Sequence, residues 1–265
     1  MNLEKEIWWI IDSGESNGTY NMAFDEFLGK NVKKRPILRF YRWKPYCLSL
    51  GYAQKNGIFD YNRLRENNID IVKRPTGGRA VLHADEVTYS VIISDCHPLF
   101  YLSITELYKS ISYALQKGLE YLGINSLIEK NKTEIKRSEK FSPYCFSSIA
   151  RYELKYNGRK IIGSAQKRYK NSVLQHGSIP LRDYPFNLGN FIYDNFKEEK
   201  KESILKDRCC SISTLLNKDV SYKEVVDNIK KGFEDTFKIV FQRRNISISQ
   251  KALIEKLSKK FKINI

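Results

Sequence analysis

Apolar and polar positions alternate along the first part of the chain in a way that predicts a strand followed by a helix. The run WWIIDSG predicts a first strand that ends in a turn. The periodic stretch SNGTYNMAFDEFLGKN then predicts a helix that begins near an asparagine and a threonine. Its apolar residues are Met22, Phe24, Phe27 and Leu28, with Asp25 and Glu26 opposite them.

The next segment predicts a series of strands separated by short turns. PILRFYRWKPYCLSLGY predicts two strands that break at Lys44-Pro45, because proline cannot donate to a sheet ladder. YNRLRENNIDIVKR predicts a short helix and then a strand. TGGRAVLHADEVTYSVIIS predicts a glycine turn followed by two further strands.

The segment SITELYKSISYALQKGLEYLGI has the strongest helical pattern in the chain. Ser103 and Glu106 have the spacing of a capping box, and Gly123 suits the position after the helix end. The predicted apolar stripe consists of Ile104, Leu107, Tyr108, Ile111, Ala114, Leu115, Leu119 and Leu122.

The second half predicts a hairpin, one more strand and a helical end. The charged run EKNKTEIKRSEKFSPYC predicts a mobile loop that ends at Cys145. RYELKYNGRKIIGSAQKRY predicts a hairpin with its turn at Asn157-Gly158, and SVLQHGSIPL predicts the next strand. From about Phe191 the pattern becomes helical and polar.

These elements predict an α+β fold with a mixed, largely antiparallel sheet flanked by helices and a helical C-terminal portion. We expect residues 1–265 to form a single domain. Within it we place a catalytic core at 33–245 and a C-terminal helical tail at 246–265.

Composition narrows the class of protein. The chain has 265 residues and lacks a run of about 20 apolar residues, so we expect a cytoplasmic protein without membrane contact. Lys+Arg 46 against Asp+Glu 30 gives a net charge of +16. Such a charge is typical of a protein that binds nucleic acid or an acidic protein partner. It could also result from a general drift toward lysine in an AT-rich genome. Because the lysines are spread along the chain, nucleic acid is not the expected partner.

Cysteine and histidine usage argues against structural cross-links. There are 5 cysteines and 3 histidines, without CxxC or HExxH spacing. An odd number of cysteines argues against a disulfide framework, and scattered histidines argue against a structural zinc site. We therefore expect neither a metal nor another cofactor.

Four places could carry chemistry. The glycine turn Thr76–Arg79, flanked by Arg74, could let the backbone approach an anionic group, although a tight hairpin with surface arginines would have the same pattern. The small residues Gly163, Ser164 and Ala165 would leave a groove in their strand, and Lys160 precedes them. A lysine beside Cys145 would favour its thiolate, but most cysteines are small apolar packing residues. His176 could act as a base or as a packing residue.

Taken together, these segments resemble the lipoyl-attachment branch of the biotin/lipoate ligase superfamily. The similar segments are NMAFDEFL, RFYRWKPYCLSLGYAQ, KRPTGGRAVLHADEVTYSV, NGRKIIGSAQKR and LQHGSIPL. Within that branch the chain resembles the cysteine-dependent octanoyltransferases, which carry a Cys-Phe nucleophile fifteen residues before the strand lysine, as Cys145 and Lys160 are spaced here. The ATP-dependent ligases more often show a Ser-Gly-Gly-Gly loop.

The resemblance implies an acyl transfer in which octanoyl moves from octanoyl-acyl carrier protein to Cys145, and then to a lysine of an apo lipoyl domain or of the glycine-cleavage H protein. It implies Cys145 as nucleophile and Lys160 as its activator, without ATP or a metal. The substrate-binding residues that it implies are Arg74, Gly77, Gly78, Arg79, His83, Gly163, Ser164, Ala165, His176 and Gly177.

Several alternatives stay open at this point. An ATP-dependent lipoate–protein ligase would have the same fold, and an amidotransferase that moves octanoyl from H protein to lipoyl domains would also use a cysteine. A basic nucleic-acid-binding protein and a non-catalytic binding module are the alternatives outside enzymes.

Overall fold

Two β-sheets organise the protein. The computed structural model describes residues 5–55, 57–130, 152–193 and 209–263. The large sheet has eight strands in the order β11-β1-β2-β6-β10-β9-β8-β7, and the small sheet has three in the order β4-β3-β5. β1 runs parallel to β11 and to β2, whereas every other pair in the large sheet is antiparallel. The predicted α+β class with a mixed, largely antiparallel sheet is confirmed.

The bounds of the elements follow the chain order. The strands are β1 Glu6–Ser16, β2 Ile37–Trp43, β3 Tyr46–Leu50, β4 Ile69–Lys73, β5 Val81–His83, β6 Glu86–Ser94, β7 Leu127–Lys130, β8 Tyr152–Tyr156, β9 Arg159–Arg168, β10 Ser172–Pro180 and β11 Ile239–Arg243. The helices are α1 Gly18–Asn31, α2 Tyr61–Glu66, α3 Ile104–Tyr121, α4 Ile212–Leu216, α5 Tyr222–Phe237 and α6 Ile248–Ser258. Short 3₁₀ turns lie at Pro98–Tyr101, Leu188–Phe191 and Lys259–Phe261.

Two strands depart from the predicted pattern. β11 lies where the sequence predicts a continuing helix, and its parallel pairing with β1 extends the sheet at one edge. β7 begins before the predicted charged loop and includes the first two residues of that loop. The rest of the loop, including Cys145, lies outside the described residues.

Each face of the large sheet is covered by helices. α3 and α5 pack over one face, around Phe40, Tyr89 and Ile111. α1 and α6 pack over the other face, around Met22 and Ile254. We call the face covered by α1 the site face, because the candidate site lies on it.

The helical predictions need two corrections. Asp25 and Glu26 do not face solvent from α1, because both are buried. The sheet covers one side of α1 and the C-terminal residues cover another, which leaves little of this helix exposed. The predicted stripe of α3 holds except at Ile104, which is 62% exposed at the first helical residue.

The C-terminal residues pack directly against α1. Ile254 and Phe261 are buried in the core beside α1, and Lys260 Nζ lies 2.6 Å from Glu26 Oε1. The division into a core at 33–245 and a tail at 246–265 stays a prediction. Among the helices that the structure describes, none is long and apolar enough to cross a membrane.

Candidate functional site

A pocket opens on the site face, where β2, β6, β10 and β9 meet the small sheet. The space between its atoms, counted together with its solvent-open mouth, is about 380 Å³. The lining residues are Met22, Tyr41, Trp43, Ser49, Arg74, Val81, His83, Thr88, Gly163, Ser164, Ala165, His176, Gly177 and Ser178. Seven of the predicted substrate-binding residues therefore meet at one cavity, although more than 100 positions separate the first from the last.

Strand register explains which side chains face the pocket. In an antiparallel pair, directly opposed residues point to the same face of the sheet. Ala165 opposes His176 and Gly163 opposes Ser178, so all four lie on the site face. Because two of these four side chains are minimal, the sheet forms a shallow floor at this point.

Although Ser164 and Gly177 also line the pocket, their side-chain positions point to the opposite face of the sheet. They oppose one another in the ladder, and the Ser164 hydroxyl lies 2.7 Å from the Tyr89 hydroxyl beneath the sheet. A Cβ on Gly177 would lie 2.6 Å from the Gly163 carbonyl oxygen and 2.6 Å from the Tyr89 ring. The groove predicted at Gly163–Ala165 is thus formed by its first and last residues, which are small, whereas the side chain of the middle residue points to the opposite face.

Lys160 reaches the site face because β9 contains one extra residue. Strict alternation would place Lys160 with Ser164, away from the pocket. However, Leu154 pairs with Ile162 and Lys155 pairs with Lys160, which leaves Ile161 as a β-bulge. The bulge reverses the alternation, so Lys160 shares the face of Gly163 and Ala165, as the sequence hypothesis requires.

A ladder of alternating charges surrounds Lys160. Its Nζ lies 3.0 Å from Glu153 Oε1, and both side chains are buried. Lys155 Nζ lies 3.8 Å from the other oxygen of Glu153 and 3.3 Å from Glu129. A buried ammonium of this kind needs a nearby anion to offset its lost hydration.

His176 connects the sheet to α1 on one side and to the glycine turn on the other. Its Nδ1 lies 2.9 Å from Asp25 Oδ2, and its Nε2 lies 2.7 Å from Thr76 Oγ1. Burial lowers the pKa of His176 despite the opposing effect of Asp25, so the ring is neutral at pH 7. A neutral ring that donates from Nδ1 to the carboxylate must accept at Nε2 from the threonine.

His83 forms a second histidine–carboxylate pair beside the first. Its Nδ1 lies 2.8 Å from Glu86 Oε1, and its ring stacks on Trp43 with 4.0 Å between centroids. Burial raises the pKa of Glu86, but His83 and the hydroxyls of Ser178 and Thr88 outweigh burial and hold it below its ordinary value. Glu86 is therefore an ionised carboxylate inside the protein.

Arg74 supports the glycine turn from within. Its guanidinium donates to the carbonyl oxygens of Gly77 and Arg79, at 2.8 and 2.6 Å, and to Ser49. Arg74 is buried and holds the turn in shape. It is therefore not the surface arginine that the alternative of a tight hairpin would have placed here. The lining of the pocket includes Arg74 but not Gly77, Gly78 or Arg79.

Four cysteines lie within the described residues. Cys47 and Cys210 are buried, Cys209 is partly exposed and Cys96 is exposed. Burial raises the pKa of Cys210 to about 11 and raises that of Cys47 well above its ordinary value. These two thiols are poor nucleophiles near neutral pH. In the described part of the chain, no group of three metal-binding side chains is close enough to hold an ion.

The sequence prediction missed the two buried carboxylates. Asp25 lies inside the apolar run NMAFDEFL and Glu86 begins the apolar strand EVTYSVIIS. A carboxylate within a run of apolar residues is the signal that could have located both, because such a group is buried only when it is paired.

Comparison with known proteins agrees with this geometry. Residues 17–234 match the family described as "Lipoyl protein ligase A/B catalytic domain". Octanoyltransferase LipM of Geobacillus kaustophilus is 38% identical over 97% of this chain and 96% of its own length. Octanoyltransferase LipM of Bacillus subtilis is 37% identical over 92% and 91%.

Solved structures show the same fold. The bipartite lipoate protein ligase of Thermoplasma acidophilum superposes with a TM-score of 0.76 at 22% identity, over 96% of this chain and 93% of that one. Lipoate-protein ligase A bound with ATP gives 0.75 at 22% identity, over 97% and 95%. The resemblance predicted from the motifs is confirmed: the chain belongs to the lipoyl protein ligase A/B catalytic-domain family, and within it to the octanoyltransferases.

Proposed function

We propose that this chain transfers octanoyl from octanoyl-acyl carrier protein, through a thioester on Cys145, to a lysine of an apo lipoyl domain or of the glycine-cleavage H protein. The observation that carries this proposal is the placement of Lys160 on the same face of β9 as Gly163 and Ala165, which line the pocket. Relatives named as octanoyltransferases over nearly the whole length support the same reaction.

The first half-reaction is a thioester exchange. The Cys145 thiolate attacks the carbonyl carbon of the octanoyl thioester, a new C–S bond forms, and the carrier leaves as its thiolate. The Lys160 ammonium stabilises the attacking thiolate and the oxyanion that develops on the acyl oxygen. The octanoyl chain rests over Gly163 and Ala165, where the sheet has no bulky side chain.

The second half-reaction forms the amide. The neutral amine of the acceptor lysine attacks the Cys145 thioester, its C–N bond forms, and the Cys145 thiolate leaves while the amine loses a proton to water. A thioester is already activated, so neither half-reaction consumes ATP. Acyl carrier proteins and lipoyl domains are acidic, and a net charge of +16 would increase their rate of encounter with this chain.

The test is incubation with octanoyl-acyl carrier protein without ATP, followed by intact-protein mass spectrometry. We expect one octanoyl group on the enzyme, mapped to Cys145, and its transfer when an apo H protein or apo lipoyl domain is added. Cys145→Ala should abolish the adduct, and Lys160→Met should slow its formation by about 10²-fold.

Cys96→Ala is the matched control, because Cys96 is an exposed thiol away from the pocket. This variant should form the adduct at the rate of the unmodified protein. An acyl adduct on Cys96, or transfer that requires ATP, would contradict the proposal, and ATP dependence would indicate a ligase.

A further inference from the structure

Asp25 is a fully buried carboxylate whose oxygens each have two hydrogen-bond donors. Arg39 Nη1 and Ser90 Oγ lie 2.7 and 2.8 Å from Oδ1. Tyr41 OH and His176 Nδ1 lie 2.9 Å from Oδ2. Burial raises the pKa of Asp25, but Arg39 and His176 outweigh burial and hold it below its ordinary value. A charge inside the core thus has partners from three strands, β2, β6 and β10.

This arrangement fixes which nitrogen of His176 carries the proton. The carboxylate can only accept, so Nδ1 must donate to it, and the neutral ring must then accept at Nε2. The donor at Nε2 is the hydroxyl of Thr76, 2.7 Å away. Asp25 thereby sets the direction of a hydrogen bond that it does not itself make.

Thr76 begins the glycine turn, and that turn is held from several sides. The Thr76 carbonyl accepts from the backbone N–H of Tyr52 at 2.9 Å. Arg74 holds the carbonyl oxygens of Gly77 and Arg79. A Cβ on Gly51 would lie 1.8 Å from the Gly78 carbonyl oxygen, so the turn packs tightly against the small sheet. Of these contacts, the Thr76 hydroxyl joins the turn to the floor strand β10 through His176.

We propose that Asp25 is a positioning residue for acyl transfer. Through His176 and Thr76 it holds the glycine turn against the floor strand β10, and so keeps the pocket in the shape described above. This inference rests on the proposed function for its kinetic consequence, but its structural part stands independently. Asp25 itself does not line the pocket, and it acts through a side chain that does.

The first experiment measures the histidine tautomers by ¹⁵N NMR. His83 and His97 are internal references, because the chain has 3 histidines. His83 should carry its proton on Nδ1, facing Glu86, and His97 on Nε2, facing Glu6. His176 should carry its proton on Nδ1. A His176 proton on Nε2 in the unmodified protein would overturn the proposal.

Asp25→Asn tests the cause of that tautomer. Arg39 can only donate, so it should bind the oxygen of the introduced amide and turn the amide NH₂ toward His176. The ring should then move its proton to Nε2, while His83 and His97 keep their signals. Retention of the Nδ1 proton in a folded Asp25→Asn protein would contradict the assigned role.

Thr76→Val tests the link to the turn without disturbing the buried charge, and Thr76→Ser restores the hydroxyl. Hydrogen exchange of residues 74–80 should be at least about tenfold faster in the valine variant and should return toward the original rate in the serine variant. This readout does not depend on activity, so it separates failure of the inference from failure of the proposed function.

The inference predicts different effects of Thr76→Val on KM and on kcat. A loosened pocket should raise KM for octanoyl-acyl carrier protein by about tenfold in Thr76→Val, with a smaller change in kcat, because the reacting groups are untouched. Unchanged exchange at 74–80 would show that the turn needs no such lock. Faster exchange with an unchanged KM would show that the lock exists but does not position the pocket for acyl transfer, which would overturn the role proposed for Asp25.

Discussion

At the scale of single residues, the position of Lys160 depends on a buried ion pair. Its ammonium lies 3.0 Å from Glu153, and neither side chain is open to solvent. Removing one member of a buried pair leaves the other charge without compensation, which costs more than the pair contributes when intact. The stability of this pair therefore shows how firmly Lys160 is held in the position that the proposed acyl transfer requires.

We expect Glu153→Gln to lower the free energy of unfolding by about 3 kcal/mol, because the Lys160 ammonium loses a buried anionic partner. Urea denaturation followed by circular dichroism gives this value. Glu120→Gln is the control, because Glu120 pairs with Lys117 at 2.9 Å on the exposed side of α3. That change should cost under about 1 kcal/mol. Equal losses in the two variants would show that burial adds nothing to the Lys160 pair.

Some residues of the candidate site could be predicted from the sequence and others could not. Local pattern located Arg74, His83 and His176, because the motifs that contain them are short and distinctive. It missed Asp25, because a carboxylate in an apolar helix is explained only by donors such as Ser90, which is 65 residues away in the chain. The face on which Lys160 lies could not be predicted, because the bulge that sets it is absent from the alternating pattern of β9.

At the scale of elements, helices and turns with strong local sequence signals form as predicted, whereas a short strand without such a signal was missed. α3 has its predicted capping box and Gly123 its predicted left-handed turn, with φ of 89°. The Asn157-Gly158 hairpin forms as predicted, with positive φ at both residues. β11 was missed because it is short and directly follows α5, so its pairing with β1 depends on a contact over more than 200 residues.

The capping box of α3 supports a second stability prediction. The Ser103 side chain accepts from the backbone N–H of Glu106 at 3.2 Å, and the Glu106 carboxylate accepts from the backbone N–H of Ser103 at 2.9 Å. Ser103→Ala should cost about 1 kcal/mol, because one end of the box is lost. Thermal unfolding by calorimetry measures the difference.

Ser110→Ala on the same helix is the control for that change. Ser110 donates only to the Glu106 carbonyl within the helix, and alanine has the higher helix propensity. Its stability should be unchanged or slightly raised. A loss equal to that of Ser103→Ala would mean that any serine removed from this helix has the same effect.

At the scale of the whole molecule, two cores share one sheet, and the C-terminal residues complete the second core. α1 presents Asp25 to the site face, and α6 with Phe261 covers α1 from outside. Lys262 also forms a bridge with Val72 of the small sheet. These contacts connect the last described residues to both sheets, which bears on whether 246–265 behaves as a separate tail.

Phe261→Ala decides between one cooperative unit and an independent tail. Phe261 is buried, so its truncation should cost about 3–5 kcal/mol. The 3 tryptophans are Trp8, Trp9 and Trp43, all outside 246–265, so their fluorescence reports unfolding of the main sheet. If the chain unfolds as one unit, the tryptophan transition in urea should shift by the full amount.

Leu253→Ala serves as the matched control on α6, because Leu253 is 56% exposed and should change stability by no more than about 0.5 kcal/mol. A tail that unfolds independently would give a different result. The tryptophan transition of Phe261→Ala would then coincide with that of the unmodified protein, while hydrogen exchange in 246–263 would accelerate. Because α1 holds Asp25 beneath those residues, a coincident transition would also mean that the candidate pocket does not depend on its C-terminal cover.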